Sequence, residues 1–168
     1  IDHLNSDFAF RFDARTRFSK NYAENSLRIL SNKTINAQVV GGVPNSISEN
    51  NTFESLLCSE IMNREYIFFY PKHRNIKYTG YASSIYLGCF KTNVLKKIKF
   101  NEKESLLSED SLIINNFLEQ GNKAYISSNI KISYLSRSSF INIIKLFNTY
   151  GFCRANTIRI SRQIFISS

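Results

Sequence analysis

The strongest constraint on the fold is that short runs with an apolar period of two alternate along the chain with longer runs at helical spacing. Phe8, Phe10 and Phe12 share one face of the segment from Asp7 to Asp13, which predicts a half-buried strand ending at Asp13. Tyr22 to Leu30 then carries apolar residues at helical spacing. Ala37 to Val43 reads as a short buried strand broken by Gly41-Gly42, and Pro44 to Asn51 as a polar loop. Thr52 suits the N-cap of a helix running from Phe53 to about Asn63. Residues 64–80 show no clear period and are expected to form a loop over a site. Ser84 to Phe90 predicts a strand, and Thr92 to Ile98 a short helix. Leu112, Ile113, Ile114, Phe117 and Leu118 form the stripe of a helix that Ser108 caps and Gly121 ends. Lys123 to Tyr134 predicts a strand, after which Ser138 or Ser139 caps a helix bearing Phe140, Ile141, Ile144, Leu146 and Phe147 and stopping at Gly151. Such alternation predicts an α/β fold, a sheet covered by helices on both faces.

Composition sets the scale. The 168 residues, 43% of them hydrophobic, suffice for one compact domain with its own core. No apolar run is long enough to span a bilayer, and the first residues lack the basic lead and apolar stretch of a signal peptide, so a cytoplasmic location is expected. Cys58, Cys89 and Cys153 are far apart and in no CxxC arrangement, which points to core fillers rather than a disulfide or zinc framework. The net charge of +9 concentrates in Lys91 to Lys99 and in Arg137, Lys145, Arg154, Arg159 and Arg162. Neither group is interleaved with aromatics as in a base-stacking sheet, and no helix-turn-helix, RNP or zinc-finger pattern occurs, so nucleic acid is not the expected partner. A diphosphate ligand or an anionic membrane surface accounts for the charge as well, and a merely solvated basic face remains open.

Two acidic sites carry the chemistry. Asp13 falls at a strand's carboxyl end, where open α/β sheets bind ligands. Glu109 and Asp110 fall in the first turn of a helix, where the dipole favours carboxylates. Read blandly, the first is a turn residue and the second an electrostatic helix start. If both project into one cleft, one carboxylate can hold a metal-bound diphosphate while the other deprotonates a hydroxyl, which is the chemistry of sugar transfer.

The order of these motifs resembles a known family. Phe12-Asp-Ala-Arg15, Val39-Val-Gly-Gly42, Tyr86-Leu-Gly-Cys-Phe-Lys91, Ser108-Glu-Asp-Ser111, Tyr134-Leu-Ser-Arg-Ser-Ser139 and Phe147-Asn-Thr-Tyr-Gly-Phe-Cys-Arg154 together look like family 2 glycosyltransferases, especially the bacterial exopolysaccharide type similar to succinoglycan-synthesis enzymes. The resemblance implies a partial GT-A-like fold with a mixed sheet flanked by helices. It divides the chain into residues 1–135, the C-terminal portion of a glycosyltransferase domain, and residues 136–168, a basic amphipathic helical tail close to the membrane. It implies an inverting transfer from a nucleotide-sugar donor to a saccharide or lipid-linked acceptor, with Mg²⁺ or Mn²⁺ as cofactor.

By this resemblance Asp110 matches the general base, with Glu109 beside it. Asp13 matches the aspartate of a DXD-like motif that binds donor and metal. Arg15 stands where such a motif has its second carboxylate, and is grouped with Asp13 and Arg154 as donor-binding, Arg137 being a further candidate for diphosphate. Ser83 and Asn116 depart from the Asp and Arg usual in similar enzymes. A complete fold of this type also carries earlier βαβ units and a nucleotide-base pocket, so self-association through an exposed sheet edge is a further expectation. A non-catalytic remnant or a basic interaction module is the alternative reading, and the inner face of the membrane the expected place of work.

Overall fold

The computed structural model describes residues 3–64, 74–98 and 109–161, with the side chains of 109–112 and 157–161 outside the description. The elements run β1 (Phe8–Arg11), β2 (Thr16–Phe18), α1 (Tyr22–Leu30), β3 (Val39–Gly42), β4 (Pro44–Ile47), α2 (Phe53–Asn63), β5 (Gly80–Tyr81), β6 (Tyr86–Lys91), α3 (Thr92–Leu95), α4 (Glu109–Glu119), β7 (Ala124–Ile126), β8 (Ile132–Leu135) and α5 (Phe140–Ser161). Five strands form one sheet in the order β1-β6-β3-β7-β5, and three form a second in the order β2-β8-β4. Both sheets are mixed: β3 pairs parallel with β7 and β4 parallel with β8, while the other pairs are antiparallel.

Strand alternation divides the core between the two faces of the larger sheet. Val39, Phe90, Ala124 and Ile126 point to one face, where Leu95 of α3 and Ile114 and Phe117 of α4 cover them. Val40 and Cys89, their chain neighbours, point to the other and meet Tyr22 and Leu30 of α1. Helices therefore cover both faces, as the alternation of periods predicts.

Several expectations need correction. Pro44 to Ile47 is a strand rather than a polar loop. Its pairing with β8 is supplemented by the Asn63 side chain, which accepts from Ser46 N at 2.7 Å and donates to Ser46 O at 2.9 Å. An edge satisfied by a carboxamide does not require apolar residues. Gly41 and Gly42 belong to β3 and do not break it; the irregularity is a register shift against β6 between Val40 and Gly42. The extra residue lies on β6, where Leu87 adopts φ 59°, a left-handed conformation rare for a branched side chain.

Residues 123–134 form two strands in different sheets. The turn between them is closed by bonds from Ile130 N to Ser127 O and from Asn129 N to Ser127 Oγ. The last helix does not stop at Gly151 but continues to Ser161; Gly151 is exposed, and a glycine costs a helix only about 1 kcal/mol there.

Other local expectations hold. Thr52 Oγ1 accepts from Ser55 N at 3.3 Å, and Ser139 Oγ from Asn142 N at 3.3 Å, so both are N-caps. Gly121, at φ 79°, follows the end of α4. The expected cap Ser108 and most of the expected loop, residues 65–73, lie outside the described residues.

The boundary expected at 135/136 falls at the end of β8. Beyond it α5 packs Ile143 and Phe147 against Cys58 and Met62 of α2 and Tyr134 of β8. No helix among the described residues is long and apolar enough to cross a membrane.

Candidate active site

Strand direction decides which residues can meet. β1, β3 and β7 run the same way, since β1 and β3 are each antiparallel to β6 and β7 is parallel to β3. Their carboxyl ends, with the start of β6 at Tyr86, form one rim of the sheet. Asp13 follows the end of β1 and so stands on that rim.

Its turn is built locally. Asp13 Oδ1 accepts from Arg15 N at 2.9 Å and Asp13 O accepts from Thr16 N at 3.0 Å, an Asx turn that leaves the carboxylate exposed. The Arg15 guanidinium reaches across to β8, donating from Nε to Leu135 O at 3.0 Å and from Nη2 to Ser136 O at 2.8 Å, and it pairs with Glu49 at 3.3 Å. Arg15 braces the Asp13 turn against the second sheet.

Tyrosines line the space beside this turn. Tyr86 Oη lies 3.2 Å from Thr16 Oγ1, and the Tyr86 ring meets the Tyr134 ring edge-on with centroids 6.2 Å apart. Burial raises the Tyr86 phenol to about 12, the bond to Thr16 opposes the rise, and the charge of Asp13 and the nearby Tyr134 and Tyr150 add to it. The phenol therefore stays protonated at neutral pH. The same tyrosines, Tyr150, Tyr86 and Tyr134, surround Arg74, whose guanidinium is pushed below its ordinary value chiefly by burial. Arg154 is four residues beyond Tyr150 on α5 and so shares its helix face.

Glu109 and Asp110 begin α4. That helix runs antiparallel to β7: its late residue Leu118 lies beside Lys123 and Ala124 at the amino end of β7. The first turn of α4 is therefore directed to the carboxyl rim, where Asp13 stands, although the two acidic side chains fall outside the described residues.

Tyr86 and Tyr134 open two of the motifs quoted from sequence but were given no role there, and Arg74 and Glu49 were not singled out. Tyr86 opens the buried run Tyr-Leu-Gly-Cys-Phe and reads as core; Arg74 and Glu49 sit in aperiodic segments with no spacing to signal them. Asn116 lies in α4 and is exposed. Ser83 lies at the opposite rim, in an open cavity of about 540 Å³ lined by Tyr81, Ala82, Leu118, Asn122, Lys123 and Ala124. Leu118 is eight residues along α4 from Asp110, about 12 Å at 1.5 Å per residue. The cavity is thus remote from the acidic rim.

Among the described residues no group of three or more His, Cys, Asp or Glu side chains could hold a metal ion. Asp13 offers a single exposed carboxylate. That donor suits Mg²⁺ or Mn²⁺ taking most of its oxygens from a diphosphate and water, and does not suit an ion caged by protein alone.

No protein-family profile matches the chain. A curated relative does: the chain is 29% identical over 171 residues to the dolichyl N-acetyl-alpha-D-glucosaminyl phosphate 3-beta-D-2,3-diacetamido-2,3-dideoxy-beta-D-glucuronosyltransferase of Methanococcus voltae. The match covers 95% of this chain and 50% of that protein, so the chain spans about half the length of the curated relative it matches. The similarity runs through nearly the whole of this chain.

Proposed function

We propose that this chain forms the catalytic and acceptor-side part of an inverting family 2 glycosyltransferase with a GT-A-type fold. It moves a sugar from a nucleotide-sugar donor to a saccharide or lipid-linked acceptor in the synthesis of cell-surface polysaccharide, at the inner face of the membrane. The observation that carries this reading is topological. Asp13 follows the end of β1 on the carboxyl rim, the direction of α4 along β7 points its first turn toward that rim, and the curated relative is itself a glycosyltransferase that by its name acts on a dolichyl-phosphate-linked sugar.

In this mechanism the carboxylate of Asp110 takes the proton of the acceptor hydroxyl as its oxygen bonds to the anomeric carbon. The bond from that carbon to the phosphate oxygen breaks on the opposite face, and its electron pair leaves with the nucleoside diphosphate. Bound Mg²⁺ or Mn²⁺ would supply charge neutralisation on the departing phosphates. Asp13 holds the donor end in place, and Arg15 keeps the Asp13 turn fixed through the carbonyls of Leu135 and Ser136. Glu109 supports Asp110 from the preceding position. Tyr86, neutral at working pH, presents a phenol beside Asp13, while Arg154 and Arg74 bring positive charge from α5 and from the segment before β5.

The test is substitution in the intact enzyme. Asp110→Asn should lower transfer by about 10²–10⁴-fold, the usual worth of a positioned base, with an unchanged circular dichroism spectrum. Turnover retained at the parent rate would remove Asp110 from the base role. Asp13→Ala should abolish the Mn²⁺-dependent thermal stabilisation by UDP or GDP; a non-catalytic remnant shows no such stabilisation in the parent protein.

A further inference from the structure

A single extra residue of backbone decides which way Tyr86 faces. In a regular strand Tyr86 would share a side of the sheet with Phe90, an even number of residues away, and Phe90 packs toward α3 and α4. Tyr86 packs instead with Val40 and Cys89 on the α1 side, while Ile85 joins Phe90. The phase changes at Leu87 and Gly88, which adopt φ 59° and 131° and supply the extra residue opposite Val40 to Gly42. An insertion of this kind moves the residues beyond it to the other face. It is held under strain: a leucine occupies the left-handed region, and a Cβ on Gly88 would come within 3.2 Å of Val39 Cγ2 and 3.3 Å of Val40 O.

The change of phase carries the phenol to the Asp13 turn. Tyr86 Oη lies 3.2 Å from Thr16 Oγ1, and the Tyr86 ring meets that of Tyr134, the residue opposite Thr16 in the second sheet. Thr16 closes the turn by donating its N–H to Asp13 O, so the two hydroxyls stand beside the carboxylate. Two hydroxyls bring two hydrogens, of which their mutual bond uses one, leaving the other for a ligand. The phenol is half-buried and raised to about 12, far above a phosphate oxygen at about 6, so a hydrogen bond between them leaves the proton on tyrosine. Such a bond strengthens as negative charge grows on the acceptor oxygen.

We infer that Tyr86 is a catalytic residue acting on the leaving group: with Thr16 donating to its oxygen, it donates its own hydrogen to the phosphate oxygen that parts from the anomeric carbon. The bond between that carbon and that oxygen breaks, the electron pair stays on the oxygen, and the phenol keeps its proton throughout. Thr16, Leu87 and Gly88 are positioning residues for it. The inference rests on the transferase reading and adds to it a neutral donor supplied by the chain itself.

The experiment uses the intact enzyme and needs no acceptor: it follows the slow hydrolysis by water of whichever UDP-sugar or GDP-sugar the parent cleaves. Tyr86→Phe keeps the ring against Tyr134 and should lower kcat for hydrolysis about 10²-fold, with KM within about threefold of the parent. The variant should also bind UDP or GDP with Mn²⁺ about tenfold more weakly and the nucleotide-sugar within about twofold, since only the free diphosphate carries the developed charge. Thr16→Val should lower the rate about tenfold in the parent and add nothing in Tyr86→Phe, because the threonine acts through the phenol. Thr16→Ser should restore it, whereas a merely structural threonine would lower the rate in both backgrounds. Hydrolysis by Tyr86→Phe at the parent rate overturns the inference and leaves the transferase reading standing. So does a fall in rate matched by an equal loss of affinity for the intact nucleotide-sugar, or one that follows a lowered melting temperature. A parent that neither hydrolyses a UDP- or GDP-sugar nor is stabilised by UDP or GDP with Mn²⁺ removes the transferase reading, and this inference with it.

Discussion

The two rims of the five-stranded sheet both carry tyrosines and a basic side chain, yet they are built differently. At the carboxyl rim, Tyr86 is half-buried, which raises its phenol to about 12, and the neighbouring turn is fixed by Arg15 through two backbone carbonyls and Glu49. At the amino rim, Tyr81 is exposed; its hydroxyl donates to Ile35 O at 2.6 Å and Lys123 Nζ lies 5.6 Å from its ring centre beside an open cavity. One rim surrenders hydration for fixed geometry, and the other keeps its polar groups in water. An open cavity is therefore a poorer guide to chemistry here than restraint. Catalysis needs groups positioned before the substrate arrives.

Four substitutions or conditions sharpen that contrast. The largest effect is expected at Gly42, on the carboxyl rim: a Cβ there would fall on the carbonyl oxygen of Ile130, and backbone cannot yield as a side-chain tip can. Gly42→Ala should cost about 3 kcal/mol in urea denaturation; a value within 0.5 kcal/mol of the parent, a threshold set by the usual scatter of surface changes, would show that this junction is soft. Arg15→Ala should follow at about 2 kcal/mol, because it strips charge-assisted bonds from Leu135 O and Ser136 O. Its transfer rate should also fall, since the Asp13 turn loses its brace.

A more gradual effect comes from pH. Burial raises the Tyr86 phenol and the Cys89 thiol to about 12 from ordinary values of 10.0 and 9.0. The folded state holds both protons more tightly than the unfolded chain, so their contribution is complete below those ordinary values and is lost as pH rises toward about 12. Stability measured across that alkaline window should decline, and Cys89→Ala should make the decline shallower. A decline of unchanged slope would assign the loss to other groups. The smallest effect belongs to the amino rim: Lys123→Ala should cost no more than about 0.5 kcal/mol and leave transfer at the parent rate. A large loss of transfer would make the two rims equals.

How much of this was legible depends on what each residue does locally. Thr52 to Asn63 was readable because cap and period agree, and Val39-Val40 with Cys89-Phe90 because a strand covered on both faces must be apolar throughout. The strand β4 was hidden because Asn63, at the far end of the following helix, completes its hydrogen bonding, a contact with no sequence period. The continuation of α5 past Gly151 was hidden because the glycine punctuates a helix only when the chain has reason to turn. At the site, Asp13 showed itself by standing at the end of an alternating run. Tyr86 did not, since a residue at the head of a buried strand looks like core until its hydroxyl is found beside Thr16. Arg15 was recognisable as important, but its bonds to residues 120 and 121 positions away are a product of folding.

The paired passage of the chain from one sheet to the other has a mechanical consequence. β3 runs through Val43 into β4, and β7 runs through the turn at Ser127–Ile130 into β8, with the members of each step parallel and in register. Two covalent spans crossing side by side, with the Asp13 turn carrying β1 into β2 as a third, act like staples through two cards. Sliding of one sheet past the other would have to tear both parallel ladders, and rotation about the line through Val43 and the Ser127–Ile130 turn would have to stretch the third span. Asp13 is therefore tethered to the second sheet by the chain itself, and the guanidinium of Arg15, bonded to Leu135 O and Ser136 O, doubles that tether.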